Sequence, residues 1–368
     1  MDASPLVKEG YATATLRAIR ADWPIYAFAL AYVAWGFLYL SGLGLSAFGT
    51  LKAYFWQWSI NFGLLGPYAA LVISIVGVTL RLKRRRRLGY LRVASPRRIG
   101  RLAAGVVLLL TAMLLFTSMF SSVKASFPLA HGFLFDAVQA DIDEALHFGV
   151  APWRLLYSVA EHRLVLQAIE FNYNVLWFVV CYFTLFWVAT SPRADRIRNR
   201  YLLTWMSIWT LIGTIMAGAW LSAGPAFYGQ VTGDTARFAG QVDFLSSTAG
   251  TLYSVRGFQD YLWSLYSSGQ PGIGSGISAF PSVHVALITL NALFAGEASR
   301  RVGLIMWVYV AFVAMSSVYL GWHYAIDGYV SIVVTTALYW LYRAAPLLIR
   351  WARSAMAPAE QAHSASSL

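Results

Sequence analysis

Three side chains late in the sequence have the types and spacing to move a phosphoryl group. His284 follows Pro281, Ser282 and Val283 at the head of an apolar run, and His323 and Asp327 stand four residues apart further on. Residues at that interval share one face of a helical turn. A carboxylate beside an imidazole fixes its tautomer and raises its basicity, which leaves the other ring nitrogen free to attack. A second imidazole can protonate a departing alkoxide. Ser282 and the first amides of the following helix can hold phosphate oxygens, because helix N-termini attract anions. These parts suffice for two-step phosphoryl transfer through a phosphohistidine.

The elements that would position them are membrane spans. Of 368 residues, 58% are hydrophobic and only 12% charged, with a mean hydropathy of +0.58. A soluble domain carries about 25% charged residues. Apolar runs near 24–44, 58–80, 102–123, 169–189, 204–222, 283–298, 302–322 and 326–345 are roughly as long as a bilayer is thick, the sixth being the shortest. The expected fold is therefore an all-α polytopic membrane helix bundle of about eight spans. The first run is too long for a signal-peptide core, so an uncleaved first span is expected. Residues 1–23 read as a cytoplasmic segment, 24–345 as a single membrane domain, and 346–368 as a cytoplasmic tail, polar and disordered from Ala357 onward. Cys181, the single cysteine, excludes an intramolecular disulfide.

A net charge of +12 would suit nucleic acid, but its distribution does not. Ten Lys and Arg crowd 81–101, "RLKRRRRLGYLRVASPRRIGR". Threading eight spans with both termini inside puts 22 basic residues on one side and 6 on the other. Positive residues mark the cytoplasmic side, and the basic run could also touch anionic lipid. The partners expected are thus the bilayer and lipid substrates, with no nucleic acid. His284, His323 and Asp327 then share the non-cytoplasmic face, where ionisable groups at membrane depth are rare and functional.

Two long stretches lie on that face. In 124–168, Leu134, Val138, Ile142 and Leu146 recur at helical spacing, which predicts a helix lying flat on the membrane. Its acids Asp141, Asp143 and Glu144 read as a solvated face rather than as metal ligands, and Pro152 opens a second helix. The stretch 223–282, rich in Gly, Ser and Thr, reads as a mobile or irregular loop of the kind that forms lids.

The residues also resemble a known family. Pro281-Ser282-Val283-His284 and Ser316-Ser317-x5-His323-x3-Asp327 are similar to the second and third motifs of the type 2 phosphatidic acid phosphatase superfamily, Pro-Ser-Gly-His and Ser-Arg-x5-His-x3-Asp. The resemblance covers roughly 169–345. It implies that His323 is the nucleophile, Asp327 its orienting carboxylate, His284 the general acid and Ser282 a phosphate contact, with no metal and no cofactor.

Three departures accompany it. Val283 replaces a glycine, Ser317 stands where a phosphate-binding arginine is expected, and the first motif, Lys-x6-Arg-Pro, is absent. "SAGPAFYG" at 222–229, with Tyr228, occupies that motif's place. The same losses, with "YLGWHYAID", look closer to the branch containing inositol phosphorylceramide synthases. Arg256, Arg237, Ser317 and Tyr228 remain as candidate phosphate partners. A site short of cations suits a singly charged phosphodiester better than a monoester. The expectation is a lipid head-group phosphotransferase in a bacterial inner membrane, its site facing outward. The alternatives are a lipid phosphate or polyprenyl diphosphate phosphatase using water, or a non-catalytic transporter or scaffold. A transporter would carry its ionisable groups near mid-membrane, whereas these gather at one edge.

Overall fold

The computed structural model of the protein describes residues 9–82 and 85–356, and among them every regular element is helical. Residues 1–8 and the tail from Ala357, expected to be disordered, lie outside the described residues. Among the described residues, seven helices are long and apolar enough to cross a membrane: Trp23–Gly42, Leu51–Arg81, Pro96–Ala130, Arg163–Thr190, Arg198–Ala219, Arg300–Tyr319 and Ala325–Ala345. The last continues as helix to Met356, past the expected start of the tail. The protein is an integral membrane helix bundle.

The sixth apolar run forms the helix Val283–Ala298, 16 residues long. At 1.5 Å per residue it spans about 24 Å, less than the hydrocarbon core of about 30 Å. It nevertheless joins the two ends of the bundle, because it packs inside it: Val285, Ile288, Leu290 and Ala292 are all buried, as are the polar Thr289 and Asn291. A helix enclosed by its neighbours needs no lipid-matching length.

The ends of the bundle differ in chemistry. One collects the arginine pairs: Arg101 with Asp22, both buried, Arg97 and Arg198 with Asp195, and Arg200 with Glu297. These residues sit at the starts of the first, third and fifth spans and the ends of the fourth and sixth. The other end joins Tyr54 to Gly274, Ser121 to Ser275, and Ser282 to Asp327. Successive spans therefore alternate in direction, and both motif histidines, His284 and His323, fall at the end opposite the arginines.

At the histidine end the long connections are structured. The helix Asp136–Leu146 forms, with Val138, Ile142 and Leu146 exposed along one face and Leu134 exposed in the turn before it. A second helix runs Pro152–Ala160. The stretch expected to be an irregular loop instead carries helices Ala239–Ser246 and Val255–Ser268. Polar side chains explain its order. Glu170 Oε1 accepts the Val255 amide at 2.8 Å and the Thr248 hydroxyl at 2.7 Å, both buried. Gln241 and Gln259 donate to the carbonyls of Val318 and Leu320, the last turn of the seventh span, at 2.8 and 3.0 Å. Free carbonyls end every helix, and these two glutamines satisfy them while fixing the loop.

Candidate active site

The eighth span opens on a turn that holds His323 beside Asp327. His323 Nδ1 lies 3.1 Å from Asp327 Oδ2, which also accepts the backbone amide of Tyr324 at 3.0 Å. Asp327 is fully buried and His323 nearly so. The carboxylate thus holds the imidazole by one nitrogen and directs the other outward. The Ser317 carbonyl accepts the amides of Trp322 and His323 at 3.0 and 3.3 Å, closing the turn between the seventh and eighth spans.

Of the acids expected on a solvated face, Asp141, Asp143 and Glu144, the structure corrects Asp143. Asp143 is buried, and its two oxygens accept the amides of Ala325 and Ile326 at 2.9 and 3.0 Å. Asp136 is buried too and accepts the amides of Ala223 and Gly224 and the hydroxyl of Tyr324, each at 2.8 Å. Burial raises both carboxyls above their ordinary range, although the amides they accept pull the other way. These acids cap the helix that carries Asp327 and brace the loop beside it. They sit seven residues, about two helical turns, apart on the face opposite Val138, Ile142 and Leu146, and that period was the available signal. Asp141 and Glu144 pair instead with Arg237. No group of metal-ligating side chains occurs among the described residues.

His284 stands in the first turn of the sixth span, whose N-cap is Ser282. The Ser282 hydroxyl accepts the Val285 amide at 3.4 Å, and its own amide donates to the Asp327 carbonyl at 3.4 Å. The two motifs are joined at that contact. The His284 ring stacks on Tyr173 at 4.8 Å between centroids and lies 4.1 Å from the Trp177 ring. The Trp177 indole also donates to the His284 carbonyl at 3.1 Å. Tyr173 belongs to a π-helical turn, Asn172–Leu176, in the fourth span. Such turns recur at functional sites because they re-aim side chains.

His284 and His323 line one cavity of about 1460 Å³, together with Lys124, Tyr173, Trp177 and Trp322. It continues between the second and fourth spans, past Phe62, Ile73 and Phe183, to Arg97 and Arg193 at the opposite end of the bundle. An ordinary small-molecule pocket is about 300–1,000 Å³.

The remaining candidates lie outside this cavity. Arg256 pairs with Asp260 one turn along its own helix at 2.9 Å. The Arg237 guanidinium donates to the Tyr228 hydroxyl at 3.1 Å as well as pairing with its two acids. Ser317 turns its hydroxyl back to the Ala314 carbonyl at 2.7 Å. "SAGPAFYG" serves as a brace: Gly224 has φ +93°, and a Cβ there would meet the Trp322 carbonyl oxygen at 2.7 Å. Only glycine allows that approach.

No curated protein and no solved structure matches the chain. A family profile for the PAP2 superfamily matches residues 137–341, more than half of the sequence, and takes in Asp143, His284, His323 and Asp327. With that match laid over a paired histidine and aspartate at the mouth of a membrane cavity, the chain belongs to the PAP2 superfamily.

Proposed function

We propose that the protein is a lipid head-group phosphotransferase working through a phosphohistidine at His323. Superfamily membership in a membrane bundle supports a lipid enzyme of the phosphatase or phosphotransferase type. The observation that carries the finer reading is the cavity. The histidines open into a long, mainly apolar space between lipid-facing helices rather than into a small polar pocket. Such a space accommodates the tails of a donor and an acceptor lipid while their head groups meet at His323.

In the first step the free nitrogen of His323 attacks the donor phosphorus, and the bond from phosphorus to the lipid alcohol breaks. Protonated His284 gives its proton to the departing oxygen. Asp327 holds the Nδ1 proton and stabilises the positive charge that develops on His323. In the second step the acceptor hydroxyl attacks phosphorus, the phosphorus–nitrogen bond breaks, and neutral His284 takes the hydroxyl proton. Both imidazoles return to their starting states. The likeness to the inositol phosphorylceramide synthase branch supports a sphingolipid-type acceptor with a phospholipid donor. We infer that the basic end of the bundle is cytoplasmic and that the site faces outward, since 22 of the 28 basic residues thread to that end.

The test is reconstitution of the purified protein with a lipid extract, followed by mass spectrometry. Paired loss of one phospholipid and gain of another carrying the same head group supports transfer. Loss of a lipid phosphate with gain of only its free alcohol would replace the transferase with a phosphatase.

A further inference from the structure

Ser317 stands where the motif resemblance implies an arginine, and the two arginines of the preceding connection are engaged elsewhere. Arg237 is held by Asp141 and Glu144, and Arg256 by Asp260. A phosphate buried beside His323 still requires positive charge, because an uncompensated anion in an apolar cavity is costly.

One cation does face that space. Lys124, near the end of the third span Pro96–Ala130, lines the cavity beside His284, His323 and Trp322. It pairs with no carboxylate among the described residues. The other cavity-lining cations, Arg92, Arg97, Arg98 and Arg193, belong to the elements at the opposite end.

The loop leading into the Ser282–His284 motif is built around this lysine. Gly276 has φ +97°, and a Cβ there would come within 2.8 Å of the Lys124 carbonyl carbon and 2.9 Å of its Cγ. The two residues before Gly276 are tied to adjacent spans: Ser275 Oγ lies 3.2 Å from Ser121 Oγ, and the Gly274 amide donates to the Tyr54 hydroxyl at 3.3 Å. The stem of Lys124 thus packs against the segment that leads into His284, and both side chains line the same cavity.

We propose that Lys124 is the phosphate-binding cation of this site, supplied by a span that lies outside the matched region 137–341. An ammonium is a compact point charge with three donors and no bidentate fork. A single such charge balances the one negative charge of a phosphodiester and leaves a dianionic monoester half compensated. Lys124 therefore also sets the preference for diesters. The ligand's identity as a lipid phosphate rests on the phosphotransferase reading; the anion site does not.

The experiment separates the two. Inorganic phosphate is titrated calorimetrically into the purified full-length protein at mildly acidic pH, where the ion is mostly singly charged, and lipid turnover is measured in parallel. Lys124→Met should weaken phosphate binding tenfold or more, the scale of a lost charge-assisted contact, and Lys124→Arg should recover most of it. Circular dichroism and thermal melting of both variants establish that they fold. Wild-type phosphate affinity in Lys124→Met would overturn the proposal, as would a wild-type protein that binds no phosphate. Phosphate binding that depends on Lys124, in a protein that turns over no lipid, would uphold the lysine and remove the phosphotransferase.

Discussion

Asp327 Oδ2 receives two donors at once, the His323 ring at 3.1 Å and the Tyr324 amide at 3.0 Å. The amide fixes the carboxylate, and the carboxylate fixes the ring. The pair is thereby oriented before any substrate arrives, which is where positioning residues make their largest contribution to rate.

Asp327→Asn should break this arrangement with little change in shape. An asparagine amide can present the wrong partner to Nδ1 and favour the wrong tautomer, so turnover should fall by about 10²–10⁴. Melting temperature should move little. A variant with wild-type turnover would show that the contact does not orient the nucleophile.

The two histidines should separate by leaving group. His323→Ala should abolish any covalent phospho-enzyme detected with a donor labelled in its head group. His284→Ala should slow a lipid donor by about 10²–10⁴ yet retain much of its activity towards a nitrophenyl phosphodiester, whose leaving group needs no proton. Equal loss on both donors would remove His284 from the acid role.

Asp143 should couple the interfacial helix to the catalytic turn. Asp143→Ala strands the amides of Ala325 and Ile326 and should cost about 1–3 kcal/mol for each if it stays unsatisfied, lowering kcat because Asp327 rides on that helix. Burial holds the Asp143 carboxyl above the ordinary value of 3.8, with the two amides opposing. The folded protein therefore keeps this proton to higher pH than the unfolded chain does. Its contribution to stability is complete below the ordinary range and is lost as pH rises through the native titration. Melting curves across acidic to neutral pH should show wild type losing stability relative to Asp143→Asn over that window. A pH-independent difference would contradict this.

Much of the architecture was legible because its signals are local. Hydropathy marks the spans, and Ser282, His284, His323 and Asp327 can be recognised by type and interval. What escaped reading depends on contacts distant in sequence. Asp143 looks like any acid on an amphipathic helix until its partners, 182 and 183 residues away, are seen. Arg256 is the local exception: Asp260 stands four residues on, an interval at which opposite charges pair on a helix, but the stretch reads as a loop by composition. The connection 223–282 reads as a loop by composition, yet Glu170, Gln241 and Gln259 order it from both sides. Lys124 was counted only as one of six basic residues outside the cytoplasmic segments.

The threading predicts labelling by side. In a Cys181→Ala background, Arg87→Cys and Arg196→Cys should resist an impermeant thiol reagent applied to intact cells, and Leu252→Cys should react. The reverse pattern would put the histidines on the cytoplasmic face.

The central claim is transfer of a head group from a phosphodiester, and separate supply of two donors tests it most directly. Purified enzyme is given phosphatidic acid or an intact glycerophospholipid, each with and without a ceramide or diacylglycerol acceptor. The account predicts head-group exchange from the diester only when an acceptor is present, with little inorganic phosphate from the monoester. Rapid phosphate release from phosphatidic acid, with no exchange in any diester mixture, would contradict it.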